Sequence, residues 1–163
     1  MKHTLTVLVE NQAGVLSKIS GLFSRRGFNI DSLAVGVTND PKLSRMTIVA
    51  DGDDYVLEQL EKQLNKLIPV IKVKAFEEGN YISRELALIK VNCTTQKRPE
   101  LMKLAEMMSA KVADVGQSTV TIEFCDTAEK GEVLINLLKP YGIREIVKTG
   151  TIAIEKGAAS VTS

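Results

Sequence analysis

Few side chains in this sequence could do chemistry. There is a single histidine, His3, near the start of the chain. One imidazole at that position supplies neither a histidine metal cluster nor a well-placed general base. Cys93 and Cys125 have neither metal-ligand spacing nor a C-x-x-C pairing, and the expectation is two buried, reduced thiols. Carboxylates fall mostly beside lysines at helical spacing, as in Glu58 and Lys62, the pattern of a solvated helix face. Glu123 and Glu132 have no evident partner in the sequence. The chain contains no G-x-G-x-x-G, G-x-x-x-x-G-K-[ST] or G-x-S-x-G. The one stretch with binding chemistry is Glu10-Asn11-Gln12-Ala13-Gly14. It is a polar turn closed by glycine, directly before an apolar helical period at Val15, Leu16, Ile19, Leu22 and Phe23. A turn of this kind leaves the first N–H groups of a helix free for an anion such as a carboxylate. The same residues also serve plain turn geometry.

The elements around this turn follow from periodicity. Thr4 to Val9 is a strand, and the helix after the turn ends at Arg25-Arg26-Gly27, basic residues followed by a glycine stop. Ile30 to Val37 is a second strand with a bulge expected at Gly36. Thr38-Asn39-Asp40-Pro41-Lys42 turns the chain into a third strand, Leu43 to Ala50. Gly52-Asp53-Asp54 starts a second helix with Leu57, Leu60, Leu64 and Leu67 as its buried stripe, and Pro69 closes it. Val70 to Ala75 is a fourth strand.

The second half repeats this order in different letters. Leu86 to Cys93 is a strand, Pro99 suits a first helical turn, and Lys111 to Val115 pairs with Thr119 to Cys125. Asp126-Thr127-Ala128-Glu129 has capping-box spacing, ahead of an expected inward stripe at Val133, Leu134, Leu137 and Leu138. Ile143 to Ile154 supplies one or two last strands, with Gly150 at a break. The fold class is α+β: two tandem ferredoxin-like βαββαβ sandwiches, each with two helices on one face of a four-stranded antiparallel sheet. Domain limits are expected at 1–76 and 84–163, joined by a linker at 77–83.

Three stretches in order carry a family resemblance: V-L-V-E-N-Q-A-G-V-L-S-K-I-S-G-L-F-S-R-R-G-F-N-I-D-S-L followed by L-S-R-M-T-I-V, then R-E-L-A-L-I-K-V at 84–91, then P-Y-G-I-R-E-I-V-K-T-G at 140–150. Together they resemble the small regulatory subunit of acetohydroxyacid (acetolactate) synthase, whose first domain is an ACT domain. The resemblance implies a non-catalytic chain. It implies a large catalytic partner subunit that itself carries thiamine diphosphate, Mg²⁺ and FAD, while this chain holds no cofactor or metal. It further implies homodimerisation through the ACT domains, activation of the partner, and feedback inhibition by valine, with leucine and isoleucine as further candidate effectors. In the family the effector lies between the turn before helix one of one chain and strand two of the other. Carried over, the effector residues are Asn11, Ala13, Gly14, Val15 and Leu16 from the turn and helix start, with Asn29 and Ile30 from strand two. Val35 could extend the aliphatic lining. Family members often carry proline where Ala13 stands, so the turn here is looser.

Bulk properties bound the alternatives. A formal net charge of +1 gives no general pull toward nucleic acid or an anionic membrane. The βαββαβ order is shared with RRM domains, but strand three, L-S-R-M-T-I-V-A, has no aromatic on which a base could stack. A stand-alone ACT sensor acting on another protein is the remaining rival. No apolar run is long enough to cross a bilayer, and the start of the sequence lacks a signal-peptide block, which makes a cytoplasmic protein the expectation.

Overall fold

The computed structural model describes residues 1–162 and divides them into two compact units. The first comprises Met1–Ser83 and the segment from Thr151 onward; the second is Arg84–Gly150.

In the first unit the order is β1 (Lys2–Glu10), α1 (Val15–Arg26), β2 (Asn29–Val37), β3 (Leu43–Asp51), α2 (Asp54–Asn65) and β4 (Val70–Ala75). The antiparallel sheet runs β2-β3-β1-β4, so β2 is an edge strand. Alternation along the strands decides the core. Leu5, Val7 and Val9 of β1 and Met46, Ile48 and Ala50 of β3 pack with Ile19, Leu22 and Phe23 of α1 and Leu60 and Leu64 of α2. Leu57 and Leu67 pack at the edge of this core, partly buried. Asp53 caps α2, its carboxylate accepting from the Val56 N–H at 2.9 Å. The expected bulge in β2 lies between Ile30 and Ser32, not at Gly36, which pairs in register with Arg45. The extra residue is Asp31, whose carboxylate is 3.4 Å from Lys2 Nζ.

The second unit contains most of β5 (Tyr81–Asn92), then α3 (Arg98–Met107), β6 (Lys111–Val115), β7 (Thr119–Asp126), α4 (Ala128–Leu138), a 3₁₀ turn at Lys139–Tyr141 and β8 (Ile143–Lys148). Its strands run β6-β7-β5-β8. Ala87, Ile89, Val91, Val120, Ile122 and Phe124 face Leu101, Ala105, Leu134, Ile135 and Leu138.

Several expectations are corrected here. Residues 77–80 form a turn and β5 already begins at Tyr81, so the expected linker 77–83 is half strand. The chain from Thr151 on groups with the first unit, while its strand β9 (Ile152–Glu155) pairs with β5 and makes that sheet five-stranded. Hydrogen bonds and an ion pair to Ser32, Arg45 and Lys74 hold it there. The cap of α4 is Thr127, accepting from the Lys130 N–H, while Asp126 accepts from the Thr127 N–H. The helix therefore starts one residue later than the capping box implied. Its buried stripe is Leu134, Ile135 and Leu138, leaving Val133 and Leu137 exposed. Cys93 is buried, but Cys125 is exposed because its neighbour Phe124 takes the inward position of β7.

Candidate functional site

The turn after β1 is built by backbone bonds to the β2–β3 hairpin. The Asn11 N–H donates to the Lys42 carbonyl at 2.7 Å, and Asn11 Nδ2 donates to the Pro41 carbonyl at 2.9 Å. With its amide nitrogen so engaged, the side-chain oxygen of Asn11 is left as an acceptor. The Gln12 N–H turns back onto the Glu10 carbonyl at 3.0 Å. The chain reaches α1 through Gly14 at φ +86° and ψ −7°, left-handed backbone that glycine adopts without strain.

The start of α1 is electrostatically bare. Gly14 has no side chain to cap the helix, and the first turn holds no acidic residue. The first helical bond runs from the Lys18 N–H to the Gly14 carbonyl, so the N–H groups of Val15, Leu16 and Ser17 have no acceptor within the helix. Three donors at the positive end of a helix dipole are chemically suited to a small anion, and a Cβ built on Gly14 meets nothing within 4 Å.

The residues expected on this side divide by environment. Asn11, Ala13 and Gly14 are exposed, and Leu16 is 46% exposed beside them. Val15 is only 5% exposed and belongs to the core cluster, so it anchors the helix and offers its N–H in preference to its side chain.

Asn29 and Ile30 lie elsewhere in the chain. Asn29 pairs with Asp51 and Ile30 with Ala50, at the end of β3 where Lys2 of β1 also pairs. The turn leaves β1 at Glu10, which pairs with Leu43 at the opposite end. Eight residue steps along β1 separate these ends by roughly 27 Å. Within one chain the two groups therefore do not meet. Asn29 lines a cleft of about 350 Å³ with Arg26, Tyr55, Gln59 and Gln63, where Arg26 Nη2 donates to Gln63 Oε1 at 3.2 Å. Ile30 packs partly buried against the core, and Val35 is half-exposed on the same edge strand.

The sequence reading missed two features. One is the support of Asn11 by Pro41 and Lys42, since T-N-D-P-K signals a turn but not what the turn holds. The other is the polar cleft around Asn29, whose residues come from the end of α1 and one face of α2. In the second unit, a groove of about 640 Å³ lies beside Cys93, Leu104, Leu137 and Tyr141. There Tyr141 Oη donates to Glu100 Oε1 at 2.6 Å. Burial first, and Glu100 second, push the Tyr141 hydroxyl up to about 12. Among the described residues no group of three or more His, Cys, Asp or Glu is placed to hold a metal ion, and no helix is long and apolar enough to cross a membrane.

Comparison with known proteins agrees along almost the full length. The family model described as the AHAS small subunit-like ACT domain matches residues 5–72, and that described as the small subunit of acetolactate synthase matches residues 84–157. The acetolactate synthase small subunit of Mycolicibacterium smegmatis is 52% identical, covering 98% of this chain and 94% of that protein. The probable acetolactate synthase small subunit of Archaeoglobus fulgidus is 48% identical, covering 96% and 98% respectively. The crystal structure of the Thermotoga maritima acetolactate synthase small subunit superposes with a TM-score of 0.90 at 39% identity, over 98% of this chain and 99% of that one.

Proposed function

The chain belongs to the family of acetolactate synthase small subunits, and from that premise we propose that it is the non-catalytic regulatory subunit of an acetolactate synthase. It raises the activity of a catalytic subunit that carries thiamine diphosphate, Mg²⁺ and FAD. It also makes that activity sensitive to valine.

The observation that carries the effector reading is the uncapped start of α1 behind Gly14. The N–H groups of Val15 to Ser17 hold the effector carboxylate, and the Asn11 side-chain oxygen accepts from its ammonium group. The aliphatic side chain lies against Leu16 and against Ile30 and Val35 of a second copy, with Asn29 of that copy supplying another polar contact.

The sheet register supports a shared site. β2 is a free edge, ready to pair with β2 of a second copy. An antiparallel two-fold pairing centred on Leu33 sets Asn29 of one copy opposite Val37 of the other. Val37 pairs with Ser44, and Ser44 with Val9, one residue before the end of β1. Asn29 of one copy thus comes to the sheet end from which the other copy's turn leaves. A pocket of this kind separates amino acids differing by one methylene by only about 1–3 kcal/mol, so leucine and isoleucine are weaker competitors instead of non-binders.

Reconstitution tests the proposal. The purified chain with all cofactors is expected to form no acetolactate from pyruvate. Added to its cognate catalytic subunit, it is expected to raise the rate and confer valine inhibition. Turnover by the chain alone, or no effect on the catalytic subunit, refutes the reading and favours a sensor that acts on another protein.

A further inference from the structure

The helices cover one face of the first unit's sheet, and the other face is set by the alternate residues. The register aligns Ser32, Val49 and Thr4 in one row, Ala34, Thr47 and Thr6 in the next, and Gly36, Arg45 and Leu8 in a third; Lys74 of β4 extends the row of Thr6. Such a polar row would ordinarily face water, yet Thr6 is fully buried and Thr47 nearly so. Three polar contacts from the chain beyond Gly150 reach this face. The Thr151 N–H donates to Ser32 Oγ at 2.9 Å, Arg45 Nη2 donates to the Ala153 carbonyl at 3.0 Å, and Lys74 Nζ lies 2.7 Å from Glu155 Oε1. Ala153 and Val161 are buried with it.

Each contact falls on a different strand: Ser32 on β2, Arg45 on β3 and Lys74 on β4. They are more than surface decoration. Thr151 is 7% exposed, so its N–H has no ready water to replace Ser32. The Glu155 side chain is 10% exposed, and the cations that face it are Lys74 and nearby Arg45. Arg45 is fixed from a second side by donating from Nε to Thr6 Oγ1 at 2.8 Å. Ser32 itself is the first residue to regain register after the β2 bulge, two residues beyond Ile30. Asn29 and Ile30 are held by their pairing with Asp51 and Ala50, and a bulge bends the strand at the unpaired residue, so a contact on Ser32 acts on that bend from its other side.

The geometry points to residues 151–161 as a positioning strap for the effector strand: anchored through Arg45 and the Lys74–Glu155 pair, it fixes Ser32, and with it the bulge that presents Asn29 and Ile30. Ser32 is a positioning residue and touches no effector. The inference rests on the proposed effector site and adds that the site is incomplete without the end of the chain. Coupling is reciprocal, so an effector that favours the strapped form of β2 must tighten the strap by the same factor.

The test uses the full chain, with valine as the probe. Hydrogen exchange at 151–155 is expected to slow when valine saturates the protein. By calorimetry, Ser32→Ala is expected to weaken valine binding by about fivefold or more, the low end of ordinary coupling. Ser32→Thr, which keeps a hydroxyl acceptor on a strand-compatible side chain, is expected to restore it. A merely structural strap would lower the melting temperature of Ser32→Ala and leave valine affinity as in the wild type, which overturns the inference. Exchange at 151–155 unchanged by bound valine overturns it too, even if Ser32→Ala fails to fold. A wild-type chain that binds no branched-chain amino acid fails one step earlier, refuting the effector site and this inference with it.

Discussion

Replacing Gly14 by aspartate places a carboxylate where the effector carboxylate is proposed to bind. At φ +86° any L-residue is strained, by roughly 1–2 kcal/mol, and less for Asp and Asn, which tolerate the left-handed region. No atom lies within 4 Å of the new Cβ, so no clash is added. The new carboxylate then competes for the N–H groups of Val15, Leu16 and Ser17. Losing one charge-assisted hydrogen bond weakens effector binding by about 1.5–3 kcal/mol, roughly tenfold to over a hundredfold. Repulsion between two carboxylates some 4 Å apart adds up to about 4 kcal/mol at an effective dielectric near 20. Gly14→Asn is the informative control because it has the same shape and backbone tolerance without the charge; Gly14→Ala carries the full backbone strain and no charge. Valine titration by calorimetry, thermal melts and assays with the catalytic subunit form one experiment. Gly14→Asp is expected to fold, retain activation and lose valine sensitivity, with Gly14→Asn intermediate. Unchanged valine affinity in a well-folded Gly14→Asp protein would refute the carboxylate cradle.

Three further outcomes bear on the scaffold. Asp53→Ala removes the α2 cap and is expected to lower stability by about 1 kcal/mol in urea titration, with little change in valine affinity. Leu60→Ala opens a cavity under the first sheet and is expected to cost about 2–5 kcal/mol by the same measurement. Tyr141 has its folded value raised above the ordinary 10.0 to about 12, so its contribution is complete below pH 10 and is lost as pH rises toward 12. Tyr141→Phe is expected to lose about 1 kcal/mol at neutral pH and to flatten that alkaline decline, as followed by circular dichroism.

Local chemistry made most of the scaffold legible. Asp53 reads as a cap because its carboxylate matches an unpaired N–H three residues on, and Gly27 reads as a stop because α1 must end in left-handed backbone. Phase was harder where apolar residues are plentiful. In α4, Val133, Leu134, Ile135, Leu137 and Leu138 are all apolar, and packing in the second core selects Leu134, Ile135 and Leu138 as the inward face. The turn at Asn11 to Gly14 was legible as an open helix start, because glycine and the lack of an acidic first turn are sequence facts. That Asn29 and Ile30, proposed to join it from a second copy, lie at the far end of the sheet was not, since it depends on the β1–β3 and β2–β3 registers. The strap was hidden for a similar reason. Ile152 to Glu155 alternates like any last strand, and nothing local to it names Ser32, Arg45 and Lys74, more than seventy residues earlier, as its partners.

The shared effector site can be tested by complementation between chains. Gly14→Asp spoils the turn, and Asn29→Lys, at an exposed residue, sets a cation against the effector ammonium. Each variant purified alone is expected to bind no valine. In a dimer co-expressed with one tag on each variant, the Asn29→Lys protomer's turn faces the Gly14→Asp protomer's β2, and that pair of surfaces is intact. Calorimetry on the doubly purified mixed dimer is expected to recover one valine site per dimer at near wild-type affinity. A mixed dimer that binds no valine, with both variants folded and paired, would contradict a site built from the turn of one chain and β2 of the other.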